Sequence, residues 1–261
     1  MMGAPLFGML VGLLLLIPSQ ATQEQPKVRE LMTQLAAADP ESRTKAACGL
    51  RELGDDAAPA LDALVALLSD GAPVEQSVCQ RRWSRWNADS RTSPGEQAAS
   101  ALVAIGHRSV TPLMRALKSS SWIARRNAAW ALGALDDRRA GAPLIELLAD
   151  PEPGVREQAA WALGALDEPA AVSALVTALK DQSPKVRAQA AWALGAIDDR
   201  RAVDALVQAL SDNEGGVRAQ VSWALGAIGD SRAVNALLPA LKDPDAGVRR
   251  QAAWAIGVLS R

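Results

Sequence analysis

Apolar positions recur along this chain with two superposed periods. Within a segment such as Arg200-Arg-Ala-Val203-Asp-Ala-Leu206-Val207-Gln-Ala-Leu210 they fall at i, i+3, i+4 and i+7, which is helical spacing. Over a longer range the block Gln158-Ala-Ala-Trp161-Ala-Leu-Gly164-Ala-Leu166 returns, its tryptophan standing at 130, 161, 192, 223 and 254, every 31 residues. A fixed period of this size predicts stacked supersecondary units. Each unit reads as two helices joined by a polar turn such as Ser211-Asp-Asn-Glu-Gly-Gly216, with glycine where a helix end favours it. Counting outward predicts seven pairs. First helices are expected near 26–38, 57–69, 108–118, 138–149, 168–180, 200–211 and 231–242. Second helices are expected near 41–53, 94–105, 122–135, 154–166, 185–197, 216–228 and 247–259.

The expected fold class is therefore all-α, an alpha-alpha superhelix. Repeats three to seven are nearly regular. The first two have drifted, with Cys48 and Ser100 at the tryptophan position. On a helical wheel of about 100° per residue, Val155, Ala159, Ala162, Leu163 and Leu166 form one stripe, and Trp161 lies roughly 145° from its centre. The largest apolar side chain of the repeat thus points away from the repeat's own core.

The motif Asp-Pro-x-x-x-Val-Arg-x-x-Ala-Ala-x-Ala-Leu-Gly-x-Ile, seen from Asp243-Pro244 through Val248-Arg249 to Ile256, resembles that of HEAT-repeat proteins. The repeats are of the short type also found in phycobilisome chromophore lyases. The resemblance covers residues 26–261. It implies an α-solenoid whose second helices line a concave surface. It also implies that Asp150, Arg156, Asp181, Arg187, Asp212, Arg218, Asp243 and Arg249 form a structural ladder between repeats rather than paired catalytic groups. The ladder breaks at Ser119, leaving Arg125 alone, and at Gly95, which replaces the arginine of repeat two.

On this fold Trp130, Trp161, Trp192, Trp223 and Trp254 make a row along the groove. They serve either as a binding stripe or as packing against the Gly/Ala surface of neighbouring repeats. A parallel row of Gln97, Asn127, Gln158, Gln189, Gln220 and Gln251 either contacts a ligand or forms an amide ladder between repeats.

One stretch does not fit the period. Repeat two carries an insert at 71–93, which holds Arg81, Arg82, Trp83, Arg85 and Trp86, the basic and aromatic cluster of the chain. A long loop in a compact array is often functional. We expect it to fold into the N-terminal end of the groove, where Cys48 and Ser100 leave space. Cys48 and Cys79 are a disulfide candidate that would tie it down.

Composition narrows the chemistry. The formal net charge is −1, with both signs interspersed, which excludes a general nucleic-acid binder. There is a single histidine, His107, beside Arg108 at a helix start. No His/Cys spacing suits a metal, no glycine-rich phosphate loop is present, and no histidine is placed as a triad base. No catalytic residue and no cofactor is expected. The apolar run Ala4–Ile17, followed by Ser19-x-Ala21, has the pattern of a signal peptide. The expected organisation is a cleaved segment 1–21 and a solenoid over 22–261, exported to the periplasm or secreted, with the membrane involved only through an uncleaved leader.

The expected function is a non-catalytic binding or scaffold module whose partner is a protein segment. Glycan binding and a lyase-type enzyme of the short HEAT-repeat group are the alternatives. The last repeat is of ordinary internal type, so self-association through it is a further expectation.

Overall fold

The computed structural model describes residues 25–79 and 91–260. Seven helix pairs stack in order: α1 (Gln25–Leu35) with α2 (Pro40–Leu53), α3 (Leu61–Leu67) with α4 (Pro94–Ile105), and α5 (Val110–Ala116) with α6 (Trp122–Ala134). Then come α7 (Gly141–Leu147) with α8 (Pro153–Ala165), α9 (Val172–Ala178) with α10 (Pro184–Ile197), α11 (Val203–Ala209) with α12 (Gly215–Ile228), and α13 (Val234–Leu237) with α14 (Ala246–Leu259). A two-residue antiparallel pair, β1 (Val74–Glu75) and β2 (Arg91–Thr92), closes the base of the insert. No helix among the described residues is long and apolar enough to cross a membrane.

The first helices are shorter than the periodicity suggests, and their starts explain why. The second helices α6, α8, α10 and α12 end near Asp136, Asp167, Asp198 and Gly229, each in the left-handed region, with φ of 52°, 48°, 55° and 71°. The next acidic side chain then caps a single 3-10 turn: Asp137, Asp199 and Asp230 each accept from the backbone N–H two residues on. Only after that turn does the α-helix begin. In the last pair Pro239, which has no N–H to donate, ends α13 after four residues, and a 3-10 turn follows. Leu238 and Leu241 are left exposed at 48% and 39%.

A continuous core of alanine, leucine and valine runs through the stack. The two layers pack differently. Successive second helices lie directly against one another, whereas successive first helices barely meet. Clefts of about 500 Å³ and 700 Å³ open between the first helices, beside Ala205 and Thr177. The tightly packed layer of second helices is therefore the inner face of the array.

Candidate interaction surface

Tryptophan and glycine build the inner face together. A Cβ placed on Gly164 would stand 2.7 Å from Cζ3 of Trp192 and 2.8 Å from the Cα of Ala193. Gly133 meets Trp161 and Ala162 in the same way, Gly195 meets Trp223 and Ala224, and Gly226 meets Trp254 and Ala255. Each of these four indoles is thus a knob seated on the glycine of the preceding repeat, whereas Trp130 follows Val103. Glycine is required there because any side chain would collide with the next helix backbone. With Cα atoms at a radius of about 2.3 Å, this approach puts adjacent helix axes roughly 8–9 Å apart, at the close end of helix packing.

Packing and exposure coexist in the row. Trp130, Trp161, Trp192 and Trp223 are half-buried against the core, and Trp254 is 44% exposed. The Cζ3 edge enters the socket, so the pyrrole N–H on the opposite edge is directed out of it. None of these indole N–H groups has a hydrogen-bond partner among the described residues, and none is buried.

The amide row divides in two. Gln97 donates to Thr92 Oγ1 at 3.0 Å and accepts from Arg51 at 3.0 Å. Asn127 donates to the Leu68 carbonyl at 2.9 Å. Gln158, Gln189, Gln220 and Gln251 bond to nothing among the described residues. They form no ladder with one another. Two hollows lie along this face. One, of about 270 Å³, is lined by Arg91, Thr92, Glu96, Gln97, Ser100, Asn127, Trp130 and Gln158. The other, of about 300 Å³, is lined by Trp130, Glu157, Gln158, Trp161 and Gln189. They share Trp130 and Gln158, so the surface is continuous.

The charged ladder runs along the inter-helix turns. Arg156 Nε and Nη2 bond Asp181 at 2.7 and 2.8 Å, and Nη1 donates to the carbonyls of Asp150 and Pro151 in its own turn. Arg125–Asp150, Arg187–Asp212 and Arg218–Asp243 repeat this, and Arg43–Asp70 is the first rung. Arg125 is therefore not alone, as its own repeat suggests. Each arginine reaches the aspartate of the following repeat, so Gly95 and Ser119 are the two halves of one missing rung. Gly95 cannot carry a side chain because a Cβ would stand 2.7 Å from the Leu68 carbonyl oxygen. Among the described residues Arg249 donates only to the carbonyls of Asp243 and Pro244.

Burial opposes ionisation of Asp150, Asp181 and Asp212. The arginine hydrogen bonds, a backbone N–H and the flanking cations together outweigh it and hold each carboxyl below its usual range. Asp230 is pulled down to about 2, first by the Arg232 side chain and then by its backbone N–H.

Cys48 and Cys79 lie with their sulfurs within bonding distance and their Cα atoms 5.9 Å apart. Cys48 occupies the tryptophan position of α2, so this flank of the insert lies beside the second helices. Arg81, Arg82, Trp83, Arg85 and Trp86 lie outside the described residues, as do residues 1–21. His107 is exposed, 3.6 Å from Asp137. Among the described residues no group of three His, Cys, Asp or Glu could hold a metal. Trp122 escaped the sequence reading. It is 40% exposed at the start of α6, with the Arg126 guanidinium 5.6 Å from its ring. The signal was its position, where the next two repeats carry Pro153 and Pro184.

The fold and this face define an α-solenoid of the kind that presents an inner surface to other proteins. The chain belongs to the HEAT-repeat family, whose pattern, HEAT repeats, matches residues 92–164, 110–182 and 172–257. No curated protein matches it in sequence. Among solved structures it is similar to the complex of CpcE and CpcF of phycocyanin lyase from Nostoc sp. PCC7120, at 25% identity and TM-score 0.49, over 89% of this chain and 93% of that one. It is similar to Escherichia coli YibA at 20% identity and TM-score 0.57, over 91% and 82%. It is also similar to Kap95p bound to RanGDP, at 16% identity and TM-score 0.64, over 92% of this chain and 38% of that one.

Proposed function

We propose that this HEAT-repeat array is a non-catalytic module that holds a protein segment along its inner face, between Trp130 and Trp254. One observation carries the reading: a continuous row of half-buried indoles flanked by glutamine amides that satisfy nothing within the described residues. A surface that served packing alone would need the indole knobs but not the unpaired amides beside them. Likeness to HEAT arrays solved with protein partners, such as Kap95p with RanGDP, agrees with that class of ligand.

The setting we propose is extracytoplasmic, after removal of residues 1–21. A disulfide between Cys48 and Cys79 would persist there and anchor the insert at one end of the groove. We further propose that the α14 face takes part in self-association. Trp254, Val258, Leu238 and Leu241 are exposed on the last repeat, and nothing lies within 4 Å of a Cβ on Gly257.

The test is affinity capture from an envelope extract with wild-type protein and with Trp161→Phe/Trp192→Phe/Gln189→Ala/Gln220→Ala, followed by mass spectrometry. The variant keeps a ring in each socket, so it should fold. It is expected to lose specific partners, and equal capture by both proteins sinks the groove reading. Light scattering that shows only monomer at high concentration would sink the self-association.

A further inference from the structure

The inner face differs from an ordinary apolar groove in its hydrogen-bonding chemistry. Its tryptophans can only donate, and their N–H groups have no partner among the described residues. Four glutamines, Gln158, Gln189, Gln220 and Gln251, each stand one helical turn before a tryptophan of the row and likewise have no partner among the described residues. Charge is sparse beyond the first hollow, which Arg91 and Glu96 line: between Trp130 and Gln189 the lining holds one ionisable side chain, Glu157. The complementary ligand is therefore uncharged and rich in acceptors, and it offers flat apolar surface to the indoles.

The spacing adds a second condition. The helix crossings set one Trp–Gln pair per roughly 8–9 Å. An extended strand repeats its side-chain direction every two residues, about 6.6–6.8 Å, and falls behind the row by about 2 Å at each step. A polyproline-II helix turns once every three residues, about 9.3 Å, and stays within about 1 Å of register per repeat. Its backbone makes no internal hydrogen bonds, so its carbonyls are available. Where residues are proline there is no N–H to leave unsatisfied.

Resting on the peptide-binding reading above, we propose that the inner face binds a proline-rich segment in the polyproline-II conformation, with one turn of ligand over each Trp–Gln pair. The indole rings stack on the pyrrolidines. The indole N–H and the glutamine Nε2 donate to successive turns of carbonyls. Trp161 to Trp254 then accommodates a segment of roughly ten residues. Because the ligand is stiff before it binds, little conformational entropy opposes association.

The experiment is a tryptophan-fluorescence titration of the full chain with three synthetic probes: acetyl-(Ala-Pro-Pro)5-amide, acetyl-(Thr-Gln)7-amide and cellohexaose. Saturable binding of the proline probe, at least about tenfold tighter than the strand-forming one, is expected. In Trp161→Phe/Trp192→Phe, with folding checked by circular dichroism, binding should weaken about 25-fold, about fivefold for each lost N–H. Equal or tighter binding of the Thr-Gln probe overturns the polyproline-II assignment and leaves the peptide groove standing. Binding of cellohexaose alone overturns both. Unchanged affinity in the double phenylalanine variant, or no binding of any probe, overturns the proposal, while the capture experiment decides the groove reading separately.

Discussion

The first two repeats and the last five solve the same packing problem differently. From α8 onward each repeat inserts an indole into its predecessor's glycine and receives its predecessor's arginine on an aspartate. In the drifted pair the indole is absent at Cys48 and Ser100. The glycine position of α2, three residues after Cys48, is Arg51, whose guanidinium crosses to Gln97 at 3.0 Å. The arginine and aspartate that would link repeats two and three are Gly95 and Ser119. Two of the losses come in matched halves, Ser100 with Arg51 and Gly95 with Ser119, while Trp130 is kept although the glycine position of α4 is Val103. What replaces them is specific to that end, namely the Cys48–Cys79 link, the β1–β2 pair and the Asn127 bond to the Leu68 carbonyl. A residue at an interface between repeats is thus set by the residue it meets in the next repeat, not by its place in the consensus.

That contrast can be broken from either side. The largest effect is expected from Gly195→Val, which drives a branched side chain into Trp223 and the Ala224 backbone. It should destabilise by about 4 kcal/mol in urea unfolding, whereas Gly257→Val, with open space around it, should cost under about 1 kcal/mol. Next is Arg187→Ala, which leaves the Asp212 carboxylate part-buried and unpaired; about 3 kcal/mol is expected, from the same measurement. Reduction of Cys48–Cys79 should lower stability by about 3 kcal/mol in the chain-entropy account. Thermal melts with and without reductant would read the loss in the N-terminal repeats. Ser100→Trp alone should cost about 2 kcal/mol because Arg51 fills the socket. Adding Arg51→Gly should recover most of it, and an additive double-mutant cycle would refute the coupling.

The smallest effect is acid sensitivity. The ladder aspartates have folded pKa values below their unfolded ones, so their contribution is full above about pH 4 and fades as pH falls through the folded values. Melts between pH 5 and pH 2 should show this loss in wild type and less of it in Arg187→Ala.

Much of this was legible in the chain itself. The 31-residue tryptophan period and the i, i+3, i+4 apolar spacing identify the helix pairs, and the wheel position of Trp161 puts the indole off the repeat's own core. The neighbour relations were not legible, because a period says that equivalent residues stack but not which unlike residues meet. Arg156 finds Asp181, 25 residues on, rather than Asp150 six residues back. One clue was present: Gly95 and Ser119 depart from the pattern together, and they are separated by nearly that interval. The bonding state of the glutamine row depends on side-chain reach across a spacing that sequence does not display. The 3-10 starts of the first helices turn on the left-handed Asp136, Asp167 and Asp198, whose residue type tolerates that geometry without announcing it.

The empty socket at Gly257 and the open edge of Arg249 give the array a polarity of inheritance. A duplicated 31-residue unit placed after α14 would find both waiting, with its own tryptophan and aspartate already matched to them. Placed before α1, the same unit would meet Ala37 and Cys48 where it needs an aspartate and a tryptophan. Lengthening by unequal recombination is therefore permissive toward one end and demands compensating substitutions at the other. The regular period of the later repeats, beside the drift of the first two, is the record such a bias would leave.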